Sequence, residues 1–459
     1  MRNAETIGIV LALSIAIMQI HTSDVHAETI GEEPISGFAE TDLVEADSDP
    51  TGTVFLEQQI SRGEADVASL QLEVMIQQIE AIHHRYHEDL IEPLTLLGDA
   101  QTQLGQTDEA IETYGRARHV ARVSKGLFSE EQLPIVYRES ALFQQVGDLK
   151  SAGQREEYAY EIARRIHAGP VPQAIPAITR LASFYIQTNN PISARTLLMS
   201  GLAIHERHGT DTTPEAVPLL KGIAQTHMQT RFPPFYVTES SDNRLEGPTP
   251  SLTTRDLDAQ HIVVNSFPQG ERALQKIVEI QRTHFADDPE RELNAILELA
   301  DWHLLFERFQ AADTLYSHIY TKMAEHNLNP EGLFSKPTLL YFPRPENPRR
   351  GSRSESDPLE GLVSLQFNVN KQGRIRSLKT VASEPPKLMD FRVRRSMRVA
   401  RYRPQYVEGE AVLAEAHTFT YRFPYFPLRQ QDQSGEEPAP SEQDSTNANA
   451  DTESAPVQD

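Results

Sequence analysis

One stretch near the C-terminus decides the fold of the last part of the chain. Residues 361–423 read GLVSLQFNVNKQGRIRSLKTVASEPPKLMDFRVRRSMRVARYRPQYVEGEAVLAEAHTFTYRF. Apolar and polar side chains alternate over residues 362–369, and this period of two predicts a half-buried strand. Residues 370–373 predict a tight turn in which Gly373 takes a positive φ. Residues 374–382 return as a second strand, so the first half of the stretch predicts a β-hairpin.

The second half of the stretch predicts a helix and a third strand. Pro385 and Pro386 end the hairpin and open a helix over residues 387–401, because proline is tolerated in a first helical turn but not inside a sheet. One helix face carries an apolar row, Met389, Val393, Met397 and Ala400. The last strand, 412–423, places four bulky side chains on one face: Leu413, Phe419, Tyr421 and Phe423. The order strand, strand, helix, strand predicts a small α+β module.

This stretch resembles the C-terminal domain of TonB-type energy transducers. The resemblance rests on the order and spacing of several elements: Gly361-x-Val363, Phe367-x-Val369, Gly373, the helix end Ala400-Arg401-Tyr402-Arg403-Pro404, Gly409 and the aromatic last strand. It implies a periplasmic module of Gram-negative bacteria, without catalytic residues, that contacts outer-membrane partners, often by pairing an exposed strand edge with a partner segment. Such pairing is physically reasonable, since a three-stranded sheet has unpaired N–H and C=O groups at its edges.

Two sets of residues in the module are candidates for partner binding. The first is the basic group Arg392, Arg394, Arg395 and Arg398 on the helix, continued by Arg401 and Arg403. Residues 361–428 hold 12 Lys and Arg against 5 Asp and Glu, so this group suits lipid headgroups, an acidic protein segment or the acidic C-terminal tail. An ordinary solvated helix face is the alternative. The second set is the two strands at 362–369 and 413–423, either of which is a candidate edge.

The composition of the whole chain limits the classes of function. A formal net charge of −23 over 459 residues argues against nucleic-acid binding. Cysteine is absent, which excludes disulfides, thiolate metal sites and cysteine nucleophiles. No GxSxG, P-loop or GxGxxG motif is present. The sequence therefore predicts neither an enzyme nor a cofactor.

Residues 1–27 have the pattern of a secretory signal peptide. An apolar run at 7–20 is followed by the small-residue cleavage site Val25-His26-Ala27, so the mature chain is expected to begin at Glu28. A helix over this 14-residue run, which only Ser14 and Gln19 interrupt, rises about 21 Å, short of the roughly 30 Å hydrocarbon core. The alternative is an uncleaved inner-membrane anchor of the kind that TonB-type transducers have. The acidic residues 28–57 are predicted to be a disordered leader.

Four rows of residues recur every 41 or 42 positions between about 60 and 232. The turn row is Gly63, Gly105, Gly147 and Asn189, and the alanine row is Ala68, Ala110, Ala152 and Ala194. The other two rows are Pro93, Pro134, Pro176 and Pro218, and the small residues Gly98, Ser140, Ala182 and Ala224. Such a period predicts a helical solenoid, in which each unit is a helix, a turn at the glycine or asparagine, and a second helix.

The repeat resembles the tetratricopeptide family in a 42-residue variant. The matching positions are Leu97-Gly98, Gly105, Ala110, Tyr114 and Ala117, and Glu156 departs from the pattern at the Tyr114 position. The pattern resumes from 270 to 326 with Leu299-Ala300, Ala312 and Tyr316, and Trp302 is expected in the groove between helices. The resemblance implies a concave face that binds peptide or protein.

The chain is therefore predicted to be mainly α, with a solenoid followed by the β-β-α-β module. The predicted segments are a solenoid at 58–330 with an interrupting loop at 232–267, a Pro/Arg/Ser linker at 331–360, the module at 361–428 and a disordered acidic tail at 429–459.

Two clusters of polar residues are candidates for reactive sites. His83 and His87 stand at i, i+4 on a predicted helix, a spacing that can share a metal ion. The sequence identifies no third ligand, so a solvated helix face is the favoured interpretation and no metal is predicted. Asp301 and His303 have acid–base character, but they lie inside a repeat helix, where a surface or packing role is expected.

These patterns predict a periplasmic protein–protein interaction adaptor, linked to TonB-dependent transport or to organisation of the cell envelope. A flexible linker is expected to join the solenoid, which holds one partner, to the module, which engages another. Two alternatives remain open. One is a membrane-anchored energy transducer for outer-membrane transport, and the other is a cell-wall or membrane-surface module that binds through its basic helix.

Overall fold

The computed structural model describes residues 52–234, 267–348 and 358–426. Twelve of the described helices follow one another as six consecutive pairs. The first three pairs are α1 (Thr53–Ser61) with α2 (Ala65–Ile82), α3 (Ile91–Gln103) with α4 (Thr107–Ser124), and α5 (Gln132–Gln145) with α6 (Leu149–Ile166). The other three are α7 (Ile175–Gln187) with α8 (Pro191–His208), α9 (Val217–Arg231) with α10 (Phe267–His284), and α11 (Pro289–Leu305) with α12 (Phe309–Glu325).

Five of the six pairs are joined by the same short turn. Each turn contains one residue in the left-handed conformation: Gly63 (φ 89°), Gly105 (76°), Gly147 (83°), Asn189 (58°) and Glu307 (62°). The first four are the turn row of the 42-residue period, so the predicted helix–turn–helix repeat is confirmed. Glu307 extends that row into the last pair, where the sequence has no glycine or asparagine to mark the turn.

Gly105→Ala is expected to lower the free energy of unfolding by about 1 kcal/mol, because a left-handed φ costs an L-residue roughly 1–2 kcal/mol. A Cβ at this position would meet no atom within 4 Å, so backbone strain is the whole effect. Gly115→Ala is the matched control, since it lies in α4 in equally open surroundings. That change should raise the free energy of unfolding by about 0.5–1 kcal/mol. Urea unfolding measures both, and equal losses would contradict the assigned turn.

The interruption between α9 and α10 does not divide the solenoid. One continuous hydrophobic core contains Leu219 and Leu220 of α9 together with Leu274 and Ile277 of α10. Residues 235–266, most of the predicted loop, lie outside the described residues. The residues on either side of the interruption both pack against Phe306. The ring centroids of Phe232 and Phe267 lie 5.3 and 5.4 Å from that of Phe306.

Trp302 packs between α10 and α11, as predicted. Its side chain is buried, and a Cβ built on Gly270 would lie 2.1 Å from its Cζ2 atom. The glycine is therefore the residue that gives the indole its space.

The C-terminal module is a three-stranded antiparallel sheet with one helix. The strands are β2 (Leu359–Val369), β3 (Ile375–Glu384) and β7 (Ala414–Tyr425), in the order β3-β2-β7, and the helix is α14 (Asp390–Val399). The predicted apolar positions are buried: Val363, Leu365, Phe367 and Val369 from β2, and Met389, Val393, Met397 and Ala400 from the helical segment. Gly373 has the predicted positive φ, at 69°. The predicted β-β-α-β order is confirmed.

Two predicted boundaries in the module are wrong. The helix does not begin at 387, because Lys387 has a φ of 67°, and it ends before Arg401, which starts strand β4 (Arg401–Arg403). The last strand does not begin at 412, because β6 (Glu410–Val412) pairs with β5 (Gln405–Val407) instead.

Leu413 does not share a face with Phe419, Tyr421 and Phe423. Ala416 has a φ of 56°, and the pairing of β7 with β2 shifts register between Phe367 and Val369. The shift buries Ala414 and leaves the Leu413 side chain 47% exposed.

Two segments predicted to lack structure contain ordered elements. In the predicted linker, α13 (Glu331–Phe334) buries Phe334, and β1 (Thr338–Tyr341) pairs antiparallel with β4. The predicted leader at 28–57 overlaps α1, whose Leu56 is fully buried. The predicted signal peptide and acidic tail lie outside the described residues.

Within the three described ranges, no helix is both long enough and apolar enough to cross a membrane.

Candidate interaction surfaces

The module is fixed to the last helix pair by a buried ion pair. Arg403 of β4 donates from Nε to Asp301 Oδ1 (2.9 Å) and from its terminal nitrogen to Asp301 Oδ2 (2.6 Å). Tyr316 of α12 donates its hydroxyl to the same Oδ1 at 2.7 Å. The Arg403 and Asp301 side chains are only 9% and 18% exposed. Asp301, considered above as an acid–base candidate, therefore has the packing role that was expected.

The same arrangement occurs inside the solenoid. Tyr114 of α4 donates to Asp99 Oδ1 at 2.7 Å, and Arg138 on the first helix of the next repeat donates to both Asp99 oxygens at 2.8 and 2.9 Å. Asp and Tyr are 15 residues apart in both places. Arg403 thus occupies for Asp301 the position that Arg138 occupies for Asp99. In this contact the module supplies the arginine that a following repeat would supply.

The departure at Glu156 belongs to the same system of contacts. Arg180, 42 residues after Arg138, donates from Nε to Glu156 Oε2 at 3.0 Å. Glu156 stands at the Tyr114 position, so here the repeat supplies the carboxylate from its second helix instead of its first.

Further contacts connect the module to the last repeat. Tyr406 of β5 lies in the solenoid core, with its ring 5.5 Å from Tyr316 and 5.3 Å from Phe334, and its hydroxyl donates to Asp313 Oδ1 at 2.8 Å. The carboxylate of Glu307, in the turn between α11 and α12, forms ion pairs with Arg374 and Arg401, each at 3.0 Å. Tyr406 of β5 and Ala411 of β6 lie in the hydrophobic core of the solenoid, so the two parts are in direct contact where the sequence predicts a flexible linker.

The charge states at the junction are stable near neutral pH. Burial disfavours the charge on Arg403, but the adjacent Asp301 carboxylate outweighs burial and raises the Arg403 pKa above its ordinary value. Burial, with Asp301 adding to it, raises the pKa of Tyr316. Burial and the hydrogen bond to Asp313 likewise raise the pKa of Tyr406. Arg403 stays charged and both tyrosines stay neutral over the physiological range.

The strand order decides which edges the sheet can offer. β2 lies between β3 and β7, so the segment at 362–369 is not an edge. Within the described residues, β3 and β7 each pair with one strand of this sheet, and their outer sides are its two edges.

The candidate arginines separate into two groups. Arg401 and Arg403 follow the helix and are held in the junction with the solenoid. Arg392, Arg395 and Arg398 are exposed on α14 and Arg394 is half-buried. Arg392 also donates to the carbonyl oxygens of Glu346 and Asn347 at 2.9 and 3.3 Å. Of the six candidate arginines, the four on α14 are therefore the ones not held in the junction.

The four bulky residues of the last strand are not one surface. Phe423 is buried in the module core, while Phe419 and Tyr421 are half-buried beside Phe342, at ring distances of 5.0 and 5.8 Å. Leu413 alone is exposed. Their role in partner binding stays a prediction. In that prediction β7 binds the partner through its backbone edge.

The module carries exposed apolar side chains on α14, just before it and on β3. Phe391 is 71% exposed and Val399 40% exposed, both on that helix. Val381 of β3 and Leu388, just before the helix, are 64% and 43% exposed. Sequence periodicity missed this surface, although Phe391 is an apolar residue outside the buried helical row.

The histidine cluster is located after a helix rather than on it. α2 ends at Ile82, and His83 is its C-cap. Asp89 joins His83 and His87, with one ligand atom of each lying within 4.8 Å of the others. The two imidazole rings are stacked nearly parallel, with centroids 3.9 Å apart. A metal lies in the plane of each imidazole that binds it, so parallel rings do not direct their nitrogens to one ion.

The C-terminal module matches a known family. Residues 352–424 match the family model described as Gram-negative bacterial TonB protein C-terminal. No curated protein matches the chain.

The helical part is similar to solved structures of TPR-like repeats. One is a Podosopora anserina putative kinesin light chain with nearly identical TPR-like repeats, at 14% identity, covering 50% of this chain and 94% of that chain, with a TM-score of 0.37. Another is BtubC (BKLC) from P. vanneervenii, at 14% identity, covering 66% and 98%, also with a TM-score of 0.37. The helix pairs and their turns, described above, carry the assignment. The chain combines tetratricopeptide-like repeats with a TonB C-terminal module, two folds used in protein–protein interaction.

The junction between solenoid and module was not predicted from the sequence, although one signal for it is present there. Asp301 and Tyr316 repeat the Asp99–Tyr114 spacing of 15 residues, and Asp99 meets an arginine from the next repeat. Among the described residues no further helix pair follows Tyr316, and the arginine that meets Asp301 comes from the module instead.

Proposed function

We propose that the chain is a non-catalytic adaptor of the Gram-negative periplasm. Its helical repeats hold one protein partner, and its TonB-like module contacts a second partner at the outer membrane. The observation that carries this proposal is the junction at Arg403 and Asp301, which fixes the module on the last repeat while two sheet edges and the outer face of α14 remain exposed.

A rigid junction suits an adaptor better than a flexible one. Two partners held on one rigid body keep a fixed distance and orientation, and less conformational freedom is lost when both are bound. The Arg403 pair, the Tyr406 ring and the Glu307 ion pairs all connect the module to the last repeat.

The exposed face of α14 and the adjoining strand is the module's contact surface in this proposal. Phe391 and Val381 supply exposed apolar area, and Arg395 and Arg398 supply positive charge. Aromatic residues, Phe included, and Arg are enriched in protein–protein interfaces. The edge of β3, next to Val381, can add backbone pairing with a partner segment.

The envelope location is supported by the family match and the N-terminal sequence. The matched family is that of Gram-negative TonB proteins, and residues 1–27 have the pattern of a cleaved signal peptide. A chain without cysteine is also compatible with an oxidising compartment.

Photo-crosslinking of the full chain in its native cells tests this proposal. Phe391→p-benzoylphenylalanine is expected to give a discrete protein adduct, whereas the same residue at Lys371, exposed in the β2–β3 turn, should give none. N-terminal sequencing of the crosslinked chain should begin at Glu28, in the periplasmic fraction. Lipid adducts in place of protein adducts would favour a membrane-surface module. A chain that retains Met1 and sediments with the inner membrane would favour an anchored energy transducer.

A further inference from the structure

A cavity of about 380 Å³ lies between the second helices of two successive repeats, α6 and α8, above the start of α7. Its floor is apolar and includes Ala177, Ile178 and Ile204. Ser200 lines one side, and Arg164 and Arg207 lie at the rim. The cavity thus combines an apolar interior with two guanidinium groups at its entrance.

The preceding repeat shows why the cavity exists. Tyr158 of α6 stands 42 residues before Ser200, and its hydroxyl donates to Gln132 Oε1 at 2.8 Å, so that its ring extends between the helices of that repeat. Arg165, 42 residues before Arg207, lies 4.8 Å above the ring of Phe128. The corresponding place between α6 and α8 has a serine instead of a tyrosine. The chain therefore fills this space with aromatic rings in one repeat and leaves it open in the next.

The charges at the rim of the cavity indicate what a ligand would carry beside an apolar group. Arg164 is exposed and pairs with Glu161 at 2.8 Å. Arg207 is also exposed, and among the described residues it forms no ion pair. A guanidinium at the entrance of an apolar cavity stacks on an aromatic ring and binds a carboxylate.

We propose that this cavity binds an aromatic side chain of a partner peptide, with a carboxylate next to that side chain meeting Arg207. The ring takes the place that the aromatic side chains of Tyr158 and Phe128 fill in the preceding repeat. This assignment rests on the proposed function, in which the solenoid holds a protein partner, and it names the chemistry of the partner segment. The site lies between second helices of the repeats, so it is separate from the surface of the module.

Saturation-transfer NMR and titration calorimetry on the full chain test the site with a defined probe, N-acetyl-phenylalanine. Its ring and carboxylate reproduce the two proposed groups, and a millimolar Kd is expected for a ligand of this size. N-acetyl-alanine should not bind. N-acetyl-phenylalanine amide should bind two- to fivefold more weakly, which is the range for one exposed ion pair.

Matched variants decide where the probe binds. Ser200→Tyr restores the tyrosine of the preceding repeat and should abolish binding, whereas Thr196→Tyr, exposed one turn earlier on α8, should leave the Kd unchanged. Arg207→Gln should weaken N-acetyl-phenylalanine two- to fivefold and leave the amide unaffected. Circular dichroism confirms that each variant is folded.

Several results would overturn the site. Binding that persists in Ser200→Tyr, or the absence of binding to the wild-type chain at millimolar concentration, would remove the cavity as the aromatic site. Equal affinity for the acid and the amide would remove the carboxylate from the proposal. These failures leave the adaptor function intact, since the crosslinking at Phe391 tests it independently. Conversely, probe binding without any protein crosslink at Phe391 would support the cavity as an aromatic site and contradict the adaptor function.

Discussion

Arg403→Met is expected to lower the free energy of unfolding by about 3–5 kcal/mol, because it leaves the Asp301 carboxylate buried without its cation. The loss should appear in urea unfolding as a lower midpoint. Tyr316 still donates to Asp301, but one neutral hydroxyl replaces two charge-assisted hydrogen bonds. The double variant Asp301→Leu with Arg403→Met should recover most of the loss, since it removes the buried charge together with its partner.

The matched control for Arg403 is Arg422→Met. Arg422 pairs with Glu360 at 3.0 Å within the module, but the two side chains are 65% and 63% exposed. Its removal should change the free energy of unfolding by less than about 1 kcal/mol. If Arg403→Met and Arg422→Met had equally small effects, the pair with Asp301 would not be a buried contact between solenoid and module.

Gly373→Ala is expected to lower the free energy of unfolding by about 2–4 kcal/mol, through backbone strain and overpacking together. Gly373 has a φ of 69°, and a Cβ there would lie 1.9 Å from the Tyr402 carbonyl oxygen and 3.2 Å from Leu304 Cδ2. The Tyr402 N–H also donates to the Gly373 carbonyl at 3.0 Å. Any shift that relieves the clash therefore disturbs β4, which carries Arg403.

Gly409→Ala separates the two causes of the Gly373 effect. Gly409 has a similar positive φ of 81°, but its Cβ would meet only Tyr320 at 3.5 Å, an ordinary van der Waals distance. Its replacement should cost about 1 kcal/mol from the backbone conformation alone. Urea unfolding of both variants gives the comparison, and a Gly373→Ala loss no larger than that of Gly409→Ala would show that the close approach to Tyr402 is absent.

Local patterns predicted the elements of both parts of the chain. The glycines and the asparagine of the turn row have positive φ because the short turn between paired helices requires it. Their 42-residue spacing in the sequence therefore predicted the positions of the turns. Val363, Leu365, Phe367 and Val369 are buried because a strand with one face on the core alternates its side chains. These inferences depend on neighbouring residues only, and for that reason the sequence contained them.

The contacts between the two parts could not be inferred in the same way. Glu307 has a positive φ where other repeats have glycine or asparagine, and it lies in the junction, paired with Arg374 and Arg401. Tyr406 belongs by sequence to the module but by packing to the solenoid core. The face on which Leu413 lies was mispredicted for a related reason. Ala416 is left-handed, and the pairing of its strand with β2 shifts there by one residue. Such features depend on contacts between residues far apart in the chain.

A distance measurement between the two parts tests most directly whether the module is fixed as the solenoid's final repeat. The chain contains no cysteine, so spin labels can be placed through Glu112→Cys on α4 and Arg398→Cys on α14, both exposed positions. Double electron–electron resonance on the otherwise unchanged chain should give one narrow distance distribution. The same labels in the Arg403→Met background should give a broader one. A broad distribution in the chain with Arg403 intact would contradict a fixed junction and restore the flexible joint that the sequence alone suggested.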